Sequence, residues 1–128
     1  MADFTLKNLK QLDNALAERT SEVEARFARD QLNSEHLGVS YFHYSPNFRS
    51  PFGHRHREQE EAYVVVGGSG RVRLEDEIVE LKPWDVLRVA PQVVRTFESG
   101  PDGLDLIAIG SDRPEGGDGE MVQDHWTE

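Results

Sequence analysis

The chain contains no cysteine, which excludes disulfides and thiol chemistry and fits a cytoplasmic protein. No stretch approaches the ~18 consecutive apolar residues that a spanning helix requires. The opening Met1-Ala2-Asp3-Phe4 has neither the basic region nor the apolar run of a secretory signal. Basic residues are scarce, 14 against 24 acids, for a formal charge of −10. That balance disfavours nucleic-acid backbones and anionic membranes, so neither is an expected partner. There is no Gly-x-Ser-x-Gly elbow. Gly67-Gly68-Ser69-Gly70 has no helix after it and is not a phosphate loop.

What is present is a single domain's worth of chain, 128 residues with 37% hydrophobic content. Leu6, Leu9, Leu12 and Leu16 recur near helical spacing, so a short helix is expected over 5–18. Val23, Ala25 and Phe27 alternate with charged residues as a strand would. From Leu37 to Ile109 the chain reads as short strands broken by turn signals, a pattern of small barrels and sandwiches. We divide it into an N-terminal extension (1–22), a β-barrel (23–110) and an acidic tail (111–128). The tail's acids, set against Arg113 alone, carry half the net charge. Its Pro114–Gly119 segment reads as loose, with Met121, Val122 and Trp126 apolar enough to dock back.

The densest chemistry lies at Gly53-His54-Arg55-His56-Arg57-Glu58-Gln59-Glu60. Two histidines at i and i+2 share one face of a strand, and a carboxylate follows. Two imidazoles and a carboxylate form a ligand set for a divalent metal. Arg55 and Arg57 point the other way and, with Glu58 and Glu61, read as a solvated charged face.

His54-x-His56-x-x-x-Glu60, with Gly67 seven residues on, resembles the first motif of the cupin superfamily. Glu80-Leu-Lys-Pro83-Trp-Asp85, followed by Pro91-Gln-Val-Val-Arg95-Thr-Phe97, resembles the second. The likeness covers roughly residues 37 to 110 and is nearest to the small single-domain cupins. It implies an all-β jelly-roll barrel, often dimeric, so a homodimer is expected. It also implies a pocket at one end of the barrel and, in metal-binding members, three histidines and a glutamate as ligands. Carried over, the ligand positions are His54, His56 and Glu60, and the third histidine position falls on Arg95. Two turn glycines are replaced by Trp84 and Gln92. A tryptophan at positive φ is costly, so a type I turn or an altered loop is expected at Trp84.

Arg95 decides the chemistry. A guanidinium about 5 Å from a divalent cation repels it by ~6–7 kcal/mol at an effective dielectric near 20. Arginine cannot lose its proton to escape. Three readings stay open. Arg95 replaces the metal by pairing with Glu60. Alternatively, it anchors an anionic ligand beside His54 and His56. In the third, iron, manganese, nickel or zinc stays on His54, His56 and Glu60, and Arg95 faces a substrate carboxylate. The expectation taken forward is a pocket for a small anionic or polar molecule with no tightly bound metal, the alternative being a metal-dependent oxygenase, isomerase or decarboxylase. Arg95, His54, His56, Tyr41, His43 and Phe97 are its candidate lining.

Overall fold

A computed structural model describes residues 2–126. Eight strands form one antiparallel, curled sheet. They are β1 (Val23–Phe27), β2 (Gly38–Tyr44), β3 (Phe52–His56), β4 (Glu61–Leu74), β5 (Glu77–Leu81), β6 (Val86–Val89), β7 (Arg95–Gly110) and β8 (Gly119–Gln123). The all-β expectation holds.

Two long strands organise the rest. β4 and β7 run antiparallel over nearly their whole lengths, with register shifts between Val65 and Gly67 and between Gly68 and Gly70. Such bulges bend the pair and raise its twist. Gly68 sits at φ 70°, and a Cβ there would lie 2.1 Å from the Gly103 carbonyl oxygen. Only glycine allows the two strands to meet at this corner. Beyond the bend each long strand takes new neighbours. Residues 61–68 of β4 and 104–110 of β7 carry β6 on one side and β2 with β1 on the other. Residues 70–74 of β4 and 95–99 of β7 carry β5 on one side and β3 with β8 on the other. The two halves enclose one core of Tyr63, Val65, Val72, Leu81, Val89, Phe97, Leu104, Leu106 and Ala108. The alternation of β-branched and aromatic residues with polar ones builds this inner face.

Both termini depart from the sequence reading. The expected helix over 5–18 reduces to one 3₁₀ turn, Leu9–Gln11. Asparagine side chains compete with helix formation by bonding nearby backbone. Asn8 accepts from the Lys10 N–H, and Asn14 accepts from the N–H groups of Leu16 and Ala25. The segment lies along β1, where the Ala15 N–H donates to the Ala25 carbonyl at 2.8 Å. It thereby covers part of an otherwise open sheet edge. The tail, expected to be loose over Pro114–Gly119 and to dock back beyond it, contributes β8, which pairs with β3 from Phe52↔Gln123 to His56↔Gly119. Trp126 is buried and lies 5.0 Å and 5.2 Å from the guanidinium carbons of Arg49 and Arg71, while Met121 is exposed.

The turn before β6 also differs from expectation. Trp84 has φ 74°, and the Asp85 N–H donates to the Lys82 carbonyl at 3.1 Å. With Pro83 ahead of it, this is a type II turn with tryptophan where glycine is favoured. Surrounding bonds hold it: Trp84 N–H to the Val65 carbonyl at 2.7 Å, Val65 N–H to the Asp85 carbonyl at 2.9 Å, and Lys82 N–H to the Asp85 carboxylate at 3.0 Å. The indole is 76% exposed and contributes little to the core. Trp84→Gly relieves a left-handed backbone cost of ~1–2 kcal/mol. Thermal melts at low protein concentration are therefore expected to show a melting temperature equal to or a few degrees above the parent's. A loss of more than about 10 °C would show that the indole stabilises the chain.

Candidate functional site

His54 and His56 project from one face of β3, their ring centroids 5.2 Å apart and nearly perpendicular. The carboxylate that meets them is Glu61, not Glu60. β3 ends at His56 and β4 begins at Glu61, and the intervening turn resets the strand parity. Glu61 therefore shares the inner face with Tyr63 and Val65, both buried. Glu60 faces outward and pairs with Arg88. The sequence reading that set Glu61 among solvated charges is thus reversed.

Glu61 Oε1 is the focus of the site. It accepts from Arg95 Nη1 at 2.9 Å and from the Tyr63 hydroxyl, and it faces His56 Nε2 at 3.1 Å and His54 Nε2 at 3.4 Å. Burial alone would raise the Glu61 pKa. Bonds from His54, His56 and Tyr63 outweigh it and hold the carboxyl well below the usual range. Burial, with the Glu61 charge adding to it, pushes the Tyr63 hydroxyl far up, so it stays a neutral donor.

His56 has a second carboxylate. Its Nδ1 lies 2.9 Å from Asp118 Oδ1, and the Asp118 side chain is fully buried. Asp118 Oδ2 accepts the N–H groups of Glu58 and Gln59 at 2.6 Å and 2.8 Å. The residue just before β8 therefore fixes both the turn that follows β3 and the orientation of the imidazole. Sequence reasoning placed no function in the tail and missed Asp118. Burial would depress the His56 pKa, but its bonds to Glu61 and Asp118 raise it overall. Carboxylates on both ring nitrogens favour the imidazolium, which donates from each.

Arg95 is completely buried. Beyond Glu61, its Nη2 donates to the carbonyls of Ala90 and Pro91 at 2.8 Å and 3.3 Å. It stands opposite His54 in the register of β3 and β7. It does not line the cavity described below, which corrects the reading of Arg95 as an accessible anion anchor. Tyr41 and His43 do not enter the site either. They lie on the other face of β2, where the Tyr41 hydroxyl and His43 Nδ1 meet Asp105 Oδ1 at 2.8 Å and 2.6 Å. Phe97 shares the inner face with Arg95 but packs in the core, 5.0 Å from the Tyr63 ring.

The cavity itself, about 590 Å³, opens beside His54, His56 and Glu61. Its floor comes from β2 and β7, where Gly38 pairs with Gly110 and Ser40 with Ala108. Phe42 and Phe27 form one wall, edge to face with centroids 5.8 Å apart. Arg29 and Arg113 contribute the cations. One nitrogen of each histidine and a Glu61 oxygen lie within 4.8 Å of one another, so these three residues could hold a metal ion.

The protonation states give a pH profile. His56 binds its proton more tightly folded than unfolded, so its contribution is complete below pH 6.5 and is lost as the pH rises through the raised native value. Asp118 behaves oppositely. Burial would raise its pKa, yet bonds from Glu58, Gln59 and His56 bring it down from 3.8 to about 2. Its contribution is complete above its unfolded value and is lost as the pH falls towards 2. Thermal stability is expected to be highest from about pH 4 to 6.5, with declines on both sides. In melts across this range, His56→Gln should flatten the alkaline decline and Asp118→Asn the acid one. An unchanged alkaline limb in His56→Gln would refute the assignment.

No protein-family model matches the chain, and no curated protein matches it. Solved structures do. A cupin protein from Bacteroides fragilis superposes with a TM-score of 0.71 at 24% identity, over 88% of this chain and 86% of that one. The polyketide cyclase RemF from Streptomyces resistomycificus gives 0.74 at 18% identity, over 97% and 87%. KdgF from a Halomonas species gives 0.67 at 18% identity, over 91% and 98%. Two bent, antiparallel long strands with three shorter partners to each half, and these superpositions, establish that the chain has the fold of the cupin superfamily.

Proposed function

We propose that this chain binds a small polar or anionic molecule in the cavity beside His54 and His56, without a tightly held metal ion. The observation that carries the reading is Arg95. It is fully buried, bonded to the same Glu61 oxygen that a metal would need, and tied to two backbone carbonyls. A divalent ion on that oxygen would sit within a few ångströms of a charge that can neither move away nor be neutralised. The His54, His56 and Glu61 donor set therefore fits a metal poorly in this chain, although it fits by distance alone. The pairing first considered for Glu60 is made by Glu61.

The ligand's charge follows from the cavity. Arg29 donates to the Ser111 carbonyl, and neither Arg29 nor Arg113 has an ion pair among the described residues. These two guanidinium groups outnumber Asp30, the carboxylate that lines the cavity besides the paired Glu61, and so favour an anion in a chain of net charge −10. His54 supplies a polar group at the inner end, where both nitrogens of His56 are held by Glu61 and Asp118. A second reading, a metal-dependent enzyme using His54, His56 and Glu61, is favoured by one feature. Asp118 orients His56 as carboxylates orient metal-ligating histidines.

Elemental analysis of untagged protein separates the two. The parent is expected to hold well below one metal per chain, and Arg95→His to gain it, with iron, manganese, nickel and zinc supplied in turn. Near-stoichiometric metal in the parent would overturn the metal-free reading.

The expected homodimer belongs to the same proposal. Trp84 and Val86 are 76% and 69% exposed beside and on the edge strand β6, which among the described residues pairs only with β4. A second copy that covers them would remove apolar surface and an open edge from water. Sedimentation equilibrium is expected to give twice 14.5 kDa for the parent and the single-chain mass for Trp84→Glu. A monomeric parent would reject it.

A further inference from the structure

Resting on the binding reading, we infer that the ligand is an aromatic carboxylate, held flat in a slot across the inner face of the first sheet half. The argument begins with cross-strand rows. On β2, β7 and β4 the inner row nearest the cavity mouth is Gly38, Gly110 and Glu61, and the next is Ser40, Ala108 and Tyr63. Four small residues in adjoining rows leave a low, flat floor where most barrels carry branched side chains. Two flexible side chains already occupy the nearest space above the glycines. A Cβ at Gly38 would lie 2.5 Å from Arg29 Nη2, and one at Gly110 would lie 2.3 Å from Gln59 Nε2. Arg29 and Gln59 thus lie over Gly38 and Gly110, and the part of the floor without a side chain above a glycine is formed by Ser40 and Ala108.

The slot has three chemically distinct borders. Phe42, with Phe27 edge-on behind it, forms an aromatic wall. The rings lie on the same face of paired strands, because Ala25 faces Phe42 and Phe27 faces Ser40 in the register. A second aromatic ring gains from contact with such a pair beyond its buried area. Arg29 and Arg113 provide the cationic border, free to pair with a carboxylate. His54 provides the inner polar border, matched to a ring hydroxyl or carbonyl, because both nitrogens of His56 are already held by Glu61 and Asp118. A sugar acid would present hydroxyls to Phe42 and the apolar floor, and these would lose their water without gaining partners. A short aliphatic acid would reach the arginines but leave the aromatic wall and His54 unused. A planar ring with one carboxylate and a hydroxyl or carbonyl engages all three borders.

The experiment measures binding to the untagged full chain by isothermal titration with three probe classes: benzoate and hydroxybenzoates, glucuronate, and succinate. Aromatic acids are expected to bind at least tenfold tighter than the other two. Arg113→Gln, an exposed change, should weaken aromatic acids about tenfold, as loss of a charge-assisted contact does. Phe27→Ala, a half-exposed side chain, should weaken benzoate about fivefold while leaving any succinate binding unaltered. Circular dichroism and the melting temperature of each variant confirm that the fold is retained. Tighter binding of glucuronate or succinate than of every aromatic acid would overturn this inference and leave the binding reading standing. No binding by any of the three classes would overturn both.

Discussion

One ion pair holds the site in place. The Arg95 guanidinium has no exposed surface, and its partner Glu61 stands at the first residue of a long strand. Removing a single member of such a pair leaves a buried charge uncompensated, at a cost of ~3–5 kcal/mol. Position adds to energy. β3 and β7 share only one register pair, His54 with Arg95, before the sheet diverges towards β8. The bond from Arg95 across to Glu61 on β4 therefore spans the seam where the second half of the barrel closes. Tyr63, His54 and His56 take their places around an oxygen that Arg95 fixes. In this fold the inner end of the pocket is set by a permanent cation built into the chain.

That arrangement separates charge by depth. At the inner end Arg95 neutralises Glu61. Nearer the mouth, Arg29 and Arg113 have no carboxylate partner among the described residues. The outer surface carries the acidic excess, including the tail residues Glu115, Glu120 and Asp124. At this opening a small anion finds these two arginines without ion pairs on a molecule that is acidic as a whole. Specificity of this kind comes partly from rejection elsewhere.

Much of this was legible beforehand. Strand-rich alternation and the spacing of His54, His56 and Gly67 were sufficient for the fold, and Arg95 was recognisable as the odd residue. The identity of the carboxylate was not. Counting from the histidines leads to Glu60, and the run Ala62-Tyr63-Val64-Val65-Val66 is apolar on both faces, so it gives no parity by which to choose between Glu60 and Glu61. The two faces of β2 are equally aromatic, with Tyr41 and His43 on one and Phe42 and Tyr44 on the other, so the cavity wall was assigned to the wrong one. Asp118 was hidden by composition. It sits among glycines and acids that read as solvated chain, and only the pairing of β8 with β3 reveals where its carboxylate goes. The leucine spacing in 5–18 was misleading for a related reason, since Asn8 and Asn14 hold backbone groups that a helix would need.

The attachment of Asp118 has one more consequence. β8 is an edge strand, paired on one side only and close to the end of the described chain. Edge elements near a terminus open locally at a lower free energy than the core does. Each opening of β8 withdraws the carboxylate from His56 and releases the Glu58 and Gln59 amides together. The imidazole therefore keeps its orientation only for as long as the strand stays docked. The lifetime of the formed site is bounded by the fraying of a five-residue ribbon, and hydrogen exchange at Glu58 and Gln59 would register that clock directly.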